Sequence, residues 1–229
     1  MNKNVSFSFG PIELINKIEC KYHFFEIIFR GLGGKAKNLK ESAKLFTYNK
    51  LAESISINRI LELYSFELLE EIGFNKEISE RTLYRNLERI GDNYTFLMSN
   101  YQKFLKINNL VANEQFIDFS SSYFEGNKSE LGALGYSRDS QPGKKQITWG
   151  ISTGMNEIPT ALTVQKGNVC DKTHFQFMLK TVKKVLDKDS LLMFDCGGNT
   201  AKNKQKVIDL GFNYLTLKPK QKNSYRRYI

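Results

Sequence analysis

Near Asn108 the hydrophobic pattern of this chain changes period, and that change restricts what either half can fold into. Before it, apolar residues recur at three- and four-residue spacing, the pattern of helices with one buried stripe. After it they fall into short runs rich in Ile, Val, Phe and Thr, separated by Gly, Ser and Asn, which is the pattern of strands.

In the first half the spacing predicts a helix over 10–29, with Ile12, Ile15, Ile18, Tyr22, Phe25 and Ile28 on its stripe and Pro11 near its start. The GLGG at 31–34 stops it. That cluster is not a dinucleotide loop, because no strand precedes it and the G-x-G-x-x-G frame is absent. Further helices are predicted over roughly 38–48 and 54–72, the second ending at Gly73. Over 75–106, Ser79 reads as an N-cap with Glu80 in the first turn, where the helix dipole favours an anion. Leu83, Leu87 and Ile90 form the expected buried stripe, while Arg81, Arg85 and Arg89 repeat every four residues on another face. A short helix, a turn and a helix with a row of arginines suit a helix-turn-helix reader, which must neutralise phosphate as it enters a groove. A surface helix with its arginines paired to Glu80, Glu88 or Asp92 has the same pattern.

In the second half, strands are expected at 115–124, 146–153, 158–165, 190–195 and 211–218, with helices at 171–186 and 200–210. The residues GMNE between the second and third runs read as a hairpin turn. This alternation implies a mixed sheet covered by helices, hence an α/β unit. Two of the runs carry an aspartate directly after apolar residues, Phe116-Ile117-Asp118 and Met193-Phe194-Asp195. Side chains at the carboxyl ends of neighbouring strands converge on one crevice. Two carboxylates held together there repel unless a cation intervenes, and Mg²⁺ or Mn²⁺, which take oxygen ligands, are the natural choice. Two such ions roughly 4 Å apart can activate a nucleophile and stabilise the leaving oxygen of a phosphodiester displacement.

The charge agrees in sign. The chain carries 34 Lys and Arg against 24 Asp and Glu, a net +10, which favours a polyanionic partner such as nucleic acid. The excess is uneven: 16 against 13 through Asn108, then 18 against 11. Lys218, Lys220, Lys222, Arg226 and Arg227 crowd the end, where the plainer reading is a solvated tail. Three scattered cysteines, Cys20, Cys170 and Cys196, with only two histidines exclude a conventional zinc site and a disulfide framework. No apolar run approaches the roughly 18 residues of a membrane span. The first ten residues lack a signal-peptide layout, so a cytoplasmic protein with no membrane partner is expected. The serines at 120–122 read as a turn, and Trp149, Phe116 and Phe194 read as core.

In order, DFSSSYFEG (118–126), LGALGYSRDSQPGKKQITWGI (131–151), IPTALTVQKGNVCDKTHF (158–175) and FDCGGNTAKN (194–203) resemble the core of a DDE-type insertion-sequence transposase. The resemblance covers about residues 112–218 and rests on GYSRD, KQI, GN-x-x-D and D-x-G-x-x-x-x-x-N in that order. It implies an RNase H-like mixed sheet with flanking helices over 109–229, incomplete at its end, preceded by an all-helical DNA-binding region over 1–108. It implies DNA transposition: Mg²⁺-dependent cleavage at element ends and joining of the freed 3′ hydroxyl to a target. The partner would be double-stranded DNA, terminal repeats and target, with a homodimer possible. By the same resemblance Asp118 and Asp195 are the first two acids and the metal ligands, and Tyr136, Ser137 and Arg138 sit near the crevice, either with Arg138 on DNA phosphate or with all three in a structural role. Asp171 reads first as the N-cap of the following helix, and second as a residue bordering the site.

The third acid of that family is a glutamate on a later helix. Here no glutamate follows Glu157, and after Asp195 the one carboxylate is Asp209, on the helix directly after it. The chain is therefore expected to be a truncated or degenerate copy, or one whose remainder lies in a separate frame. Two alternatives stand beside an active transposase: a catalytically inactive DNA-binding remnant, and a self-contained nuclease with Asp209 as third ligand.

Overall fold

The computed structural model describes residues 7–33, 36–126, 128–136 and 141–217 (for 36 and 37, the backbone alone). The basic run beyond Leu217 and the predicted Ser137 and Arg138 lie outside the described residues. Two compact units divide the chain, 1–104 and 105–229.

The first unit is helical. Its helices are α1 (Phe9–Tyr22), α2 (Phe24–Phe29), α3 (Ala36–Leu51), α4 (Ile57–Leu63), α5 (Phe66–Ile72) and α6 (Glu80–Asp92), followed by α7 (Tyr94–Ile107), which runs on into the second unit. Ile12, Phe25, Leu45, Ile60, Leu68 and Leu83 belong to its core.

Two helices expected as single are each broken in two. At His23 the backbone turns left-handed (φ 50°), and the Glu19 carboxylate accepts the Phe25 and Glu26 amides at 2.7 and 3.2 Å. A side chain of α1 thereby caps α2, so the apolar stripe continues through a break that periodicity alone does not show. The second break falls at Ser65, whose hydroxyl accepts the Leu68 amide and starts α5 afresh. Tyr64 and Leu68 are buried on either side of it, which preserves the four-residue spacing.

The second unit is a five-stranded sheet with helices. Its strands are β1 (Glu114–Tyr123), β2 (Gln146–Gly154), β3 (Pro159–Lys166), β4 (Leu191–Phe194) and β5 (Asn213–Thr216), in the order β3-β2-β1-β4-β5. The β1–β2 and β2–β3 pairs are antiparallel; β1–β4 and β4–β5 are parallel. Helices α8 (Asp171–Val182) and α9 (Ala201–Asp209) connect the later strands.

One sheet face is packed and the other is open. Ile117, Phe119, Leu192 and Phe194 join Phe175, Met178 and Val207 in a second core beneath α8 and α9. Phe116 on the opposite face is 49% exposed and Leu215 is 62% exposed, so Phe116 is not the core residue the sequence suggested. Register decides which residues take which face, and a buried polar cluster supports it. The Gln115 amide oxygen accepts the Ser152 and Thr160 hydroxyls at 3.0 and 2.6 Å, tying β1 to β2 and β3.

Candidate functional site

The segment Gln115 to Ser121 alternates, so Gln115, Ile117, Phe119 and Ser121 turn inward while Phe116, Asp118 and Ser120 face outward. Along β4, Leu192 and Phe194 turn inward by the same rule. The parallel register pairs Phe116 with Met193 and Ile117 with Phe194. One step past the last registered pair stand Asp118, still in β1, and Asp195, directly after β4; the two strands are about 4.8 Å apart by ordinary sheet spacing. Both aspartates are exposed.

Asp118 is not at the end of its strand, however. β1 continues five residues past it, because β2 pairs with it as far as Tyr123. Only the ladder to β4 stops there, and that stop opens the crevice. The serines at 120–122, expected as a turn, belong to the same strand, with the Ser122 hydroxyl accepting the Trp149 indole N–H at 3.1 Å.

Each aspartate is oriented by one backbone amide. Asp118 Oδ1 accepts its neighbour Phe119 N–H and Asp195 Oδ1 accepts the Gly197 N–H, both at 2.8 Å. Among the described residues, no hydrogen bond to the second oxygen of either is formed. Exposed carboxylates fixed on neighbouring strands, with an oxygen each to spare, fit a hard divalent cation. Among the described residues, no group of three His, Cys, Asp or Glu is arranged to hold a metal ion.

The loop after Asp195 is held at several points. Asn199 donates to the Leu217 carbonyl at 2.7 Å, and the Thr216 hydroxyl donates to the Asp195 carbonyl at 3.2 Å. Asn203, fully buried at the first turn of α9, donates to the Gly198 and Lys172 carbonyls, both at 3.0 Å. The last residue of the D-x-G-x-x-x-x-x-N motif is thus a positioning residue, joining the Asp195 loop to α8.

Asp171 is not the N-cap that the sequence suggested. Cys170 holds that place and Asp171 is the first helical residue of α8. Its carboxylate lies at the site instead. A Cβ on Gly197 would stand 2.6 Å from Asp171 Oδ2 and 3.0 Å from Asp195 Oδ1, so the missing side chain lets the two acids face each other. The GN-x-x-D spacing held this signal as the second reading, behind the capping chemistry that an aspartate at a helix start suggests first. The Cys170 thiol is pulled below its ordinary pKa, first by a hydrogen bond with the Thr173 hydroxyl and then by the Thr173 amide.

Asp209, the other acid after Asp195, is exposed at the end of α9 and accepts the Gln205 amide at 2.8 Å. It stands eight residues beyond Ala201, roughly 12 Å along the helix axis.

In the first unit, Ser79 caps α6 as expected, its hydroxyl accepting the Thr82 amide at 3.3 Å. The buried stripe differs: Leu83 and Asn86 are buried, whereas Leu87 is 41% exposed. The Asn86 amide donates to the Ser42 hydroxyl at 2.9 Å and fills the place given to Leu87. Arg81, Arg85 and Arg89 are all exposed, and among the described residues none forms an ion pair.

No family model matches the chain, and no curated protein matches it. Among solved structures, one match is the Mos1 transposase paired-end complex with left transposon end. Sequence identity to it is 12% and the TM-score is 0.33, with 76% of this chain and 57% of that chain covered. The chain thus spans a little over half the length of that structure. Among the described residues, no helix is long and apolar enough to cross a membrane.

Proposed function

We propose that the chain is a DDE-type transposase whose second unit has an RNase H-like fold and whose Asp118 and Asp195 form the metal-binding pair. One observation supports this reading: the parallel β1–β4 register ends at Ile117 and Phe194, the residues directly before the two aspartates, and both aspartates are exposed. Asp118 and Asp195 would hold Mg²⁺ or Mn²⁺ through the oxygens their backbone contacts leave over. Bound divalent ions would polarise a phosphodiester and lower the pKa of an attacking water. The chain's own residues orient the carboxylates through the Phe119 and Gly197 amides, and Asn203 holds the loop behind them. Arg81, Arg85 and Arg89 on α6 would neutralise duplex phosphates, together with Arg138.

A second reading, DNA binding without strand cleavage, is favoured by the position of Asp209. At the far end of α9, roughly 12 Å along the helix axis from its start and hydrogen-bonded to Gln205, Asp209 is a poor candidate for the third ligand of a self-contained nuclease.

The test is a paired assay on the full chain. Binding to double-stranded DNA is read by gel shift at low salt, and nicking of supercoiled DNA is read with Mg²⁺, Mn²⁺ or chelator. A transposase gives metal-dependent nicking that Asp118→Asn and Asp195→Asn each abolish without loss of binding. Binding with no nicking selects the second reading. Nicking unchanged by either substitution, or no binding at low salt, refutes both.

A further inference from the structure

Beside Asp171 lies a cavity of about 220 Å³, lined by Ser121, Tyr136, Gln146, Thr148, Asn168 and Asp171 among others. Ser121 is only 6% exposed, and among the described residues its Oγ makes no hydrogen bond. A buried hydroxyl without a partner is an uncompensated cost in the empty protein, and a ligand entering the cavity relieves it. The walls are fixed independently of any ligand. The Gln146 amide donates to the Tyr136 and Gly167 carbonyls, both at 2.9 Å. At Gly167 the backbones meet so closely that a Cβ would overlap the Gln146 carbonyl oxygen.

The lining selects the ligand. The volume equals roughly seven waters at ~30 Å³ each, too small for a drug-sized molecule but enough for one small ring system. Among the described lining residues Asp171 is the one charged group, and its carboxylate disfavours a phosphate or other anion. A cation is opposed by the partial positive charge at the start of α8. What remains is a neutral group that both donates and accepts. Tyr136, 87% exposed at the rim, offers a ring face for stacking.

We propose that this cavity receives a single unpaired nucleobase bearing an exocyclic amine: adenine, cytosine or guanine rather than thymine. The amine donates to the Asp171 carboxylate, which can only accept, and Ser121 Oγ pairs with a ring nitrogen or carbonyl. Thymine offers one N–H flanked by two carbonyl oxygens, which the carboxylate repels. The inference rests on the DNA reading above. Asp171 links the two places, because its carboxylate faces Asp195 across Gly197. A base lodged here belongs to the strand whose phosphodiester meets the two aspartates. Extrusion is cheapest where the base is already unpaired.

Fluorescence anisotropy on the full chain tests this with three hairpin duplexes differing in one nucleotide: a bulged cytosine, a bulged thymine, or no bulge. Wild-type protein is expected to bind the bulged cytosine about tenfold more tightly than the bulged thymine. Asp171→Asn, whose amide both donates and accepts, brings that ratio to within about twofold, with circular dichroism confirming the fold. Tyr136→Ala, at an exposed residue whose truncation leaves folding intact, weakens binding of the bulged cytosine several-fold. Equal wild-type affinity for the two bulges, or a preference that survives Asp171→Asn, overturns the inference while binding of the paired duplex leaves the DNA reading standing. Failure to bind any duplex at low salt overturns both.

Discussion

Replacing Asn203 with aspartate tests how the Asp195 loop is held. The substitution keeps the shape of the side chain but removes both N–H donors. It sets a carboxylate against the Lys172 and Gly198 carbonyl oxygens in a fully buried position. Each lost hydrogen bond is worth about 1 kcal/mol, and an orphaned buried carbonyl costs about 1–3 kcal/mol more. With an unpaired buried charge added, the expected loss at pH 7 is about 3–5 kcal/mol. At roughly 4 °C per kcal/mol for a unit of this size, Tm falls by about 12–20 °C.

The loss must depend on pH. Burial raises the folded-state pKa of the introduced carboxyl above its unfolded value of about 3.9. The native state therefore binds the proton more tightly, and the deficit grows as pH rises through the folded-state value. Below that value the protonated carboxyl restores one of the two donors, leaving a deficit of about 1–2 kcal/mol near pH 4. Trp149, the only tryptophan, lies in β2 and reports unfolding of the second unit alone. Urea titrations followed by its fluorescence at pH 4 and pH 7, wild type against variant, give the two differences. A deficit below about 1 kcal/mol at pH 7, or the same deficit at both pH values, refutes the claim that this amide anchors the loop.

Three further outcomes are expected. Phe175 is fully buried against the rings of Phe119 and Phe194, so Phe175→Ala should destabilise the second unit by about 3–5 kcal/mol in the same titration. Tyr64, pushed up to about 12 by burial, then by Glu53 and Tyr48, keeps its proton longer when folded. Stability of the first unit should therefore be full below pH 10 and fall as pH rises towards about 12, an effect that circular dichroism should show reduced in Tyr64→Phe, with the remainder carried by Tyr48, Tyr94 and Tyr101, which burial also raises. Replacing Arg81, Arg85 and Arg89 together by alanine should lower the slope of log affinity for duplex DNA against log salt by about 2.7, at about 0.9 per phosphate contact, with Tm unchanged.

The strands of the second unit were legible to within two residues at every end, because alternation and flanking Gly, Asn and Asp fix them locally. The helical breaks at His23 and Ser65 were not. In both places the apolar spacing runs on, and the break is made by a single polar side chain finding an amide, Glu19 in one case and Ser65 in the other. Leu87 shows the same limit. Three apolar residues at helical spacing suggested a stripe, yet the buried place went to Asn86, because Ser42 on another helix offers it a partner.

The sequence by itself determined the order of helices and strands and supplied two aspartates after apolar runs, since periodicity and local chemistry act within a few residues. It could not say that the two share a face. That depends on the β1–β4 register, a pairing between segments some 75 residues apart, where a slip of one residue would turn either side chain into the core. The tertiary structure also decided what stands around them. Gly197 carries no side chain to keep Asp171 away from Asp195, and among the described residues Ser121 is left without a partner beside a cavity, because these neighbours meet only once the sheet and α8 have packed.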